Sequence, residues 1–291
     1  MVVSGALCDS WAGWPSVFFV TGGIGILWGF LWFPLISDSP PTDGRGGTVP
    51  DDNKSLLSVP WRSILSSPAF LSLVLTHACA NWGFYCLLTE MPSYLGHVLH
   101  FDVYTNGLVS SLPYLTKWLV MVSFSFWIDR SMERGRFSLR TSRRMASLIG
   151  LVTPALLLAS IQLGGCSKIV VVLLLCLAVG ISGTDSSGFL CAYQELAPNY
   201  AGVLAGLGNT VATLPGFLAP QLTGYLTEDQ QSRSSWRQVF LVASALYLLS
   251  AAVYLTFMST KVQPWNDPSH GRKEDSEQAC PLSDVNTDAN A

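Results

Sequence analysis

Apolar segments long enough to cross a bilayer recur along most of the chain, and this repetition constrains the fold more than any other feature. A membrane-spanning helix needs about 20 mainly apolar residues. Seven such segments can be counted, at 15–36, 70–92, 107–128, 145–163, 169–192, 201–222 and 239–258. Because backbone polar groups in lipid must be hydrogen-bonded internally, these segments are expected to be helices. The sequence therefore predicts an all-α, multi-pass membrane protein.

Composition supports this class and excludes others. Only 12% of the 291 residues are charged while 49% are hydrophobic, whereas soluble domains carry about 25% charged residues. The net charge of −3 is spread without a basic face, so we expect no nucleic-acid partner. The sequence contains no phosphate-binding glycine loop, no metal-spaced cluster of His and Cys, and no nucleophile elbow. We therefore predict a protein that is not an enzyme and has no cofactor or bound metal.

Two stretches differ from the apolar pattern. Residues 37–66 are rich in Pro, Gly, Ser and Asp, which is typical of a flexible linker. Residues 259–291 are polar and are predicted to form a disordered tail. Ahead of the first span, residues 2–12 are apolar but too short to cross a membrane, so we expect them to be the end of a helix.

Basic residues predict the orientation in the membrane. The connection after residue 128 contains six arginines, at positions 130, 134, 136, 140, 143 and 144. Short connections rich in Arg and Lys stay in the cytoplasm. Counting spans from this connection places the linker and the tail in the cytoplasm as well.

Polar residues inside the spans are the candidates for function. His77, Asn81 and Tyr85 are four residues apart, which puts them on one face of a helix. They can line a cavity and hydrogen-bond an anionic or hydroxylated substrate, and His77, which can titrate near neutral pH, is also predicted to take part in ion coupling. Alternatively, they form hydrogen bonds between helices.

Ionisable residues at membrane depth are functional candidates by default. Lys117 lies about ten residues into its span, or about 15 Å deep. It is predicted to contact an anionic substrate, or else to pair with a carboxylate. Asp185 is predicted to bind a coupling ion, with a structural ion pair to Lys117 as the alternative. Glu90 and Glu195 lie near helix ends and are predicted to be interface residues.

Glycines and prolines interrupt the sixth of these segments. The string GNTVATLPGFLAP at 208–220 contains Asn209, Pro215, Gly216 and Pro220. Broken helices of this kind line transport cavities, because their freed backbone groups need polar neighbours. Asn209 is therefore a further candidate for substrate binding. A kinked helix that serves only packing is the alternative.

Several strings, in this order, resemble one family. They are GWPSVFFVTGGIGILWGFLWFPLISDSP (13–40), NWGFYCLLTEMPSYL (81–95), SSGFLCAYQELAPNYAG (186–202) and GLGNTVATLPGFLAP (206–220). They resemble the anion-transporting branch of the major facilitator superfamily that includes sialin, the vesicular glutamate transporters and the sodium–phosphate cotransporter-like proteins. Members have twelve helices in two bundles. The resemblance implies the end of the fifth helix and the sixth helix in 1–36, the central cytoplasmic loop in 37–66, the C-terminal six-helix bundle in 67–258 and a cytoplasmic tail in 259–291.

The resemblance also implies a function. Such a protein moves small organic anions of the carboxylate class, or phosphate, together with protons or sodium ions by alternating access. It would need the N-terminal bundle as its partner and would lie in the plasma membrane or a lysosomal or vesicular membrane. The chain departs from the vesicular glutamate transporters at Ala80, where they carry an arginine, which makes glutamate specificity doubtful. The alternative is a truncated, non-transporting isoform that associates with the full-length transporter. A seven-helix receptor is the disfavoured third possibility.

Overall fold

The computed structural model describes residues 2–11, 13–36, 59–164 and 167–267, and this part of the chain is helical, with no strand. The α-helices are α1 (Val2–Cys8), α2 (Pro15–Trp32), α3 (Trp61–Leu65), α4 (Pro68–His97), α5 (Val103–Glu133), α6 (Leu139–Ser160), α7 (Lys168–Ile181), α8 (Ala192–Leu196), α9 (Ala201–Thr213), α10 (Pro215–Thr227) and α11 (Arg233–Phe257). Short 3₁₀ turns lie at Ile161–Gly164, Ser182–Ser187, Phe189–Cys191, Pro198–Tyr200 and Pro264–Asn266. Each of the seven predicted spans falls on one helix or a run of consecutive helical elements, although the first extends four residues beyond α2 and the last one residue beyond α11.

Polar caps set the start of each long helix after the linker. The side chains of five N-cap residues each accept a hydrogen bond from the backbone N–H three positions later, which satisfies an amide that has no partner within the helix. In α5, the Asp102 carboxylate accepts from Thr105 N–H at 3.0 Å, and this bond lowers the pKa of the carboxyl. The other caps are Ser67 of α4, Ser138 of α6, Ser167 of α7 and Ser232 of α11.

The helices from α4 onward pack into one bundle. Helix α11 runs against α4 and α6, α5 runs against α7, and α4 also packs on α9 and α10. Small residues permit the close approaches, as expected for helices packed in a membrane. The ring of Tyr247 on α11 lies where a side chain on Gly83 would project, and Tyr193 lies in the same way against Gly208.

Two of the long apolar segments are interrupted inside the bundle. Between 208 and 220 the interruption is confined to one residue: α9 ends at Thr213, α10 begins at Pro215, and Leu214 between them keeps helical backbone angles (φ −54°, ψ −41°), which fits a kink as well as a broken helix. The second interruption differs from the sequence prediction of an unbroken span over 169–192. There α7 ends at Ile181 and the chain continues as 3₁₀ turns to Cys191 before α8. Serine hydroxyls bond to local carbonyls in this stretch, for example Ser182 to Val179 at 2.8 Å, which competes with regular helix.

The first two helices are placed differently from the rest. Helix α2 has no buried residue, whereas α1 packs on α5, with Gly5 close to Gly107. Among the residues that the structure describes, six helical segments are long and apolar enough to cross a membrane, and α2 is one of them. Helix α5 has 31 residues but is not among the six, because polar and charged residues interrupt its apolar sequence.

The predicted linker and tail lie mostly outside the described residues, at 37–58 and 268–291. Where their ends are described, they pack on the bundle. Ile64 of α3 is fully buried, and Trp265 is 5% exposed. Gln263 N–H donates to the carbonyl of Leu196 at 2.9 Å. The described start of the predicted disordered tail, 259–267, is therefore attached to the bundle, through the buried ring of Trp265 and the bond from Gln263 to Leu196 of α8.

Candidate functional site

The 3₁₀ stretch after α7 brings a carboxylate into the middle of the bundle. Asp185 is 8% exposed, and its Oδ1 atom is buried without a hydrogen-bond partner in the part of the chain that the structure describes. Its carboxyl group lies directly against Gly150 of α6, where any side chain would collide with it. A glycine on the facing helix is thus what leaves space for the carboxylate.

Lys117 approaches the same place from α5. Its side chain is half-buried and passes Gly183, where an added Cβ would lie 3.3 Å from Lys117 Cγ. The ammonium lies 4.4 Å from the centre of the Phe84 ring on α4, a cation–π contact. Lys117 and Asp185 interact electrostatically, but their charged atoms are not within the 4.0 Å of an ion pair. The bundle therefore holds these two ionisable residues near each other without a direct ion pair between them.

Two tyrosines that were not predicted as site residues belong to the same group as Lys117 and Asp185. Tyr114 lies one turn before Lys117, and its hydroxyl is buried with no hydrogen bond to any described residue. Tyr247 of α11 is 3% exposed and interacts electrostatically with both Asp185 and Tyr114. Tyr114 could have been predicted, because it lies three residues before Lys117 and therefore on the same face of the helix. Nothing in the sequence around Tyr247 indicates that its ring lies near Asp185. We call Tyr114, Lys117, Asp185 and Tyr247 the central polar cluster.

The predicted stripe on α4 does not face this cluster as a unit. His77 is buried, and its Nδ1 lies 3.1 Å from the hydroxyl of Tyr193. Asn81 donates to the carbonyl of Ala212 on α9 at 2.9 Å. Tyr85 is half-buried, and its ring lies against Gly216 of α10. The stripe thus contacts α8, α9 and α10, and the contacts of His77 and Asn81 correspond to the alternative role as hydrogen bonds between helices.

Asn209 lies on the open side of the break between α9 and α10. Its side chain is exposed and makes no hydrogen bond within the described ranges. Thr210 and Thr213, also exposed, donate to backbone carbonyls of α9. Polar side chains that are exposed at membrane depth need water or protein partners. This face of α9 is therefore suited to a cavity rather than to lipid.

An ion pair at the other end of the 3₁₀ stretch was not predicted. Arg143 of α6 contacts Oε1 of Glu195 through Nη2 at 2.6 Å and Nε at 2.7 Å. Its Nη1 donates to the carbonyl of Ser187 at 2.6 Å, and the Ser187 hydroxyl lies 2.6 Å from that of Ser125 on α5. These bonds tie α5, α6 and α8 to the end of the 3₁₀ stretch. Glu195 is thus part of an interhelical network rather than an interface residue alone.

Removal of Arg143 is expected to destabilise the bundle. The side chains of Arg143 and Glu195 are only 10% and 16% exposed, so Arg143→Met would leave a largely buried carboxylate without its cation. We expect a loss of about 3 kcal/mol in the free energy of unfolding. Denaturant unfolding in detergent measures it. The exposed pair of Arg130 and Glu133, at 56% and 65%, provides the control, and Glu133→Gln is expected to cost under about 1 kcal/mol. Equal effects of the two variants would contradict a special role for Arg143.

The family follows from comparison with known proteins. A model of the Major Facilitator Superfamily matches residues 1–220. The chain therefore belongs to the Major Facilitator Superfamily, and it is a multi-pass membrane protein rather than an enzyme, as the sequence predicted.

Its relatives place it in the branch that the resemblance indicated. The chain is 36% identical to human sialin over 282 residues, covering 93% of this chain and 56% of sialin. It is 31% identical to a putative inorganic phosphate cotransporter of Drosophila ananassae, covering 94% and 60%. It is also 31% identical to vesicular glutamate transporter 2.2 of Danio rerio, covering 96% and 49%. The chain spans about half the length of the curated relatives it matches.

A solved structure supports the fold alone. A bacterial homologue of the human lysosomal transporter Spinster, in an inward-facing and unoccupied conformation, superposes with a TM-score of 0.53 at 15% sequence identity. The match covers 89% of this chain and 64% of the homologue. The predicted all-α fold of the major facilitator type is thereby confirmed.

Proposed function

We propose that the chain is part of a secondary active transporter that moves small organic anions or phosphate, driven by a proton or sodium gradient. Relatives are named as transporters of phosphate, glutamate and, for chloroplasts, ascorbate. All these substrates are anions. Membership of this branch therefore supports an anionic substrate. The polar residues of this chain suggest which side chains would bind it.

The observation that carries the proposal is the buried carboxyl group of Asp185, whose Oδ1 has no hydrogen-bond partner among the described residues. A carboxylate oxygen that is buried without a hydrogen bond is costly unless a proton or cation meets it. Lys117 is close enough to stabilise the carboxylate, yet no ion pair joins the two. This arrangement suits a carboxylate that exchanges one cationic partner for another, which is what an ion-coupling site does.

Competition for Lys117 couples the anion to the ion. When an anionic substrate takes the Lys117 ammonium as its partner, Asp185 loses the stabilisation that the ammonium supplies. The carboxylate then binds a proton or a sodium ion, so that both are carried together. When the substrate leaves, Lys117 again stabilises the charged carboxylate and the coupling ion departs. His77, the other predicted ion-coupling residue, lies by Tyr193 and is proposed to support this step from α4.

The substrate is proposed to contact three side chains on different helices: Lys117 of α5, Tyr85 of α4 and Asn209 of α9. Lys117 contributes the charge, and the other two contribute groups that hydrogen-bond hydroxyl or carboxylate oxygens. Asn81 is proposed to hold α9 at its break, where Asn209 lies. Rearrangement of this broken helix would open and close the site.

The domain division is proposed on the exposure of α2. A helix apolar all round is stable only when lipid or other helices surround it. Residues 1–36 would then belong to an N-terminal bundle, 37–66 to the central cytoplasmic loop and 67–258 to the C-terminal bundle. Alternating access requires both bundles around the shared site.

Uptake by a complete transporter tests the proposal. The chain would be joined behind the first helices of human sialin, and the chimera reconstituted in liposomes with labelled carboxylates or phosphate. We expect uptake of at least one anion when a proton or sodium gradient is imposed. The chain alone is the control and is expected to give none.

A folded chimera that takes up none of these anions above empty liposomes would contradict the proposal. The alternative function, a non-transporting isoform that associates with a full-length relative, is favoured by the exposed surface of α2. Coexpression separates the two. An isoform of this kind would co-purify with full-length sialin and lower its uptake, whereas a transporter segment would leave it unchanged.

A further inference from the structure

A small cavity lies at the end of the bundle opposite the arginine-rich connection between α5 and α6. Its volume is about 80 Å³, and it is bounded by the ends of α4 and α6 and the starts of α7 and α11. The rings of Tyr94, Trp236 and Phe240 form one wall, with centres 5.1 to 6.1 Å apart. Leu158, Val171 and Leu241 add further apolar lining, and Gln162 contributes a polar side chain. The cavity shares no residue with the central polar cluster.

Two cations line this cavity on the first turns of α11. Arg233 and Arg237 are exposed and four residues apart, so they lie on one face of the helix. Arg233 interacts electrostatically with Tyr94. Arg237 makes no hydrogen bond or ion pair to any residue that the structure describes, although Glu228 and Asp229 precede the helix. A paired positive charge therefore stands beside an apolar cavity, which is complementary to an amphiphilic anion.

The same face of α11 continues as an apolar surface into the membrane. Leu241, Ala245 and Leu248 follow Arg237 at helical spacing and are exposed. Cations at a helix end followed by exposed apolar residues match a lipid, whose head group is acidic and whose chain runs along the helix. A free anion would use the arginines but not the apolar face.

We infer that this cavity binds an anionic lipid, with its acidic head group on Arg233 and Arg237 and the start of an acyl chain against Trp236, Phe240 and Leu241. The lipid stabilises the packing of α11 on α4 and α6 at this end of the bundle. This site is independent of transport, so it stands or falls separately from the proposed function.

Thermal unfolding of the purified chain in neutral detergent tests the inference. Phosphatidylglycerol is titrated into the micelles, with phosphatidylcholine and inorganic phosphate as parallel additions. We expect a saturable rise of about 5 °C in the midpoint with phosphatidylglycerol only. The variant Arg233→Gln/Arg237→Gln is expected to lose the rise, and Arg237→Gln alone to reduce it. Arg134→Gln/Arg136→Gln, two exposed arginines at the opposite end, is the matched control and is expected to keep it.

A further variant separates the cavity from general attraction between charges. Ala159→Trp fills the cavity from α6 and leaves both arginines in place, so it is expected to abolish the rise. An unchanged rise in this variant, or in the Arg233/Arg237 double variant, would overturn the inference. So would an equal rise with phosphatidylcholine, which would indicate a site without charge selectivity, or with phosphate alone, which would indicate a free-anion site. A wild-type chain without any rise would overturn it as well.

Discussion

Replacing Lys117 by glutamine is expected to lower anion uptake by the sialin chimera about 10- to 100-fold, because the substrate loses its charged partner within the bundle. Glutamine keeps much of the side-chain length and can still donate a hydrogen bond, so the change removes mainly the charge. Initial rates of labelled-anion uptake in proteoliposomes measure the effect.

Lys168→Gln is the matched control for Lys117. Lys168 is exposed at the start of α7, where its ammonium lies 5.0 Å from the centre of the Phe101 ring. Its replacement is expected to leave uptake near that of the unmodified chimera. If Lys117→Gln transported as fast as Lys168→Gln, the proposed substrate role of Lys117 would be wrong. The double variant Lys117→Gln/Asp185→Asn removes both charges and checks that a loss does not come from an unpaired Asp185.

Replacing Asp185 by asparagine is expected to separate anion movement from ion movement. A tenfold gradient of the coupling ion can hold about a tenfold excess of the anion inside, if one ion accompanies each anion. Asparagine cannot bind a proton or supply the negative charge that attracts sodium. The accumulation ratio is therefore expected to fall to about one, and exchange of labelled for unlabelled anion to continue.

Uptake driven by the ion gradient and exchange at zero gradient are measured on the same vesicles. Ser186→Ala, on the next residue of the 3₁₀ stretch, is the control. The Ser186 hydroxyl donates to the Gly183 carbonyl at 2.9 Å, so this variant changes local hydrogen bonding but not charge. Full accumulation by the Asp185→Asn transporter would remove Asp185 from the coupling mechanism.

Much of the fold could be predicted from residue pattern alone. Apolar runs of bilayer length located every long helix, and the cluster of Pro215, Gly216 and Pro220 located the break after α9. Both signals are local in sequence. The break after Ile181 was missed because GISGTDSSGF reads as a span with polar residues. Ser182 and Ser186 donate their hydroxyls to local carbonyls, but Thr184 and Ser187 bond to α6 and α5, and these long-range contacts have no signal in the local sequence.

The candidate site was predictable in part. Lys117 and Asp185 stand out because charge is rare at membrane depth. The ion pair predicted as one alternative for them is not formed, although the two residues interact electrostatically. Tyr247 could not be found, since an apolar span with two tyrosines, Tyr247 and Tyr254, gives no indication of what either ring contacts. Glu195 lies 52 positions from Arg143. The arginine was assigned with its neighbours to the cytoplasmic charge cluster, so its partner could not be inferred.

The placement of side chains on α4 shows a further limit of periodicity. A spacing of four residues put His77, Asn81 and Tyr85 on one face, but it could not predict what that face contacts. In the structure, it faces α8, α9 and α10, and the broken helix supplies the carbonyl that Asn81 binds. Their predicted contact with substrate stays a prediction; Asn81 and Tyr85 are half-buried, whereas His77 is buried.

The most direct test is to measure anion and ion movement together in liposomes that contain the chimera. Labelled anion is followed while a dye inside the vesicles reports pH or sodium. If the chain completes an ion-coupled anion transporter, the anion accumulates above its external concentration and one of the two ions enters with it. Movement of the anion only down its own gradient, with no accompanying change in pH or sodium, would contradict the account.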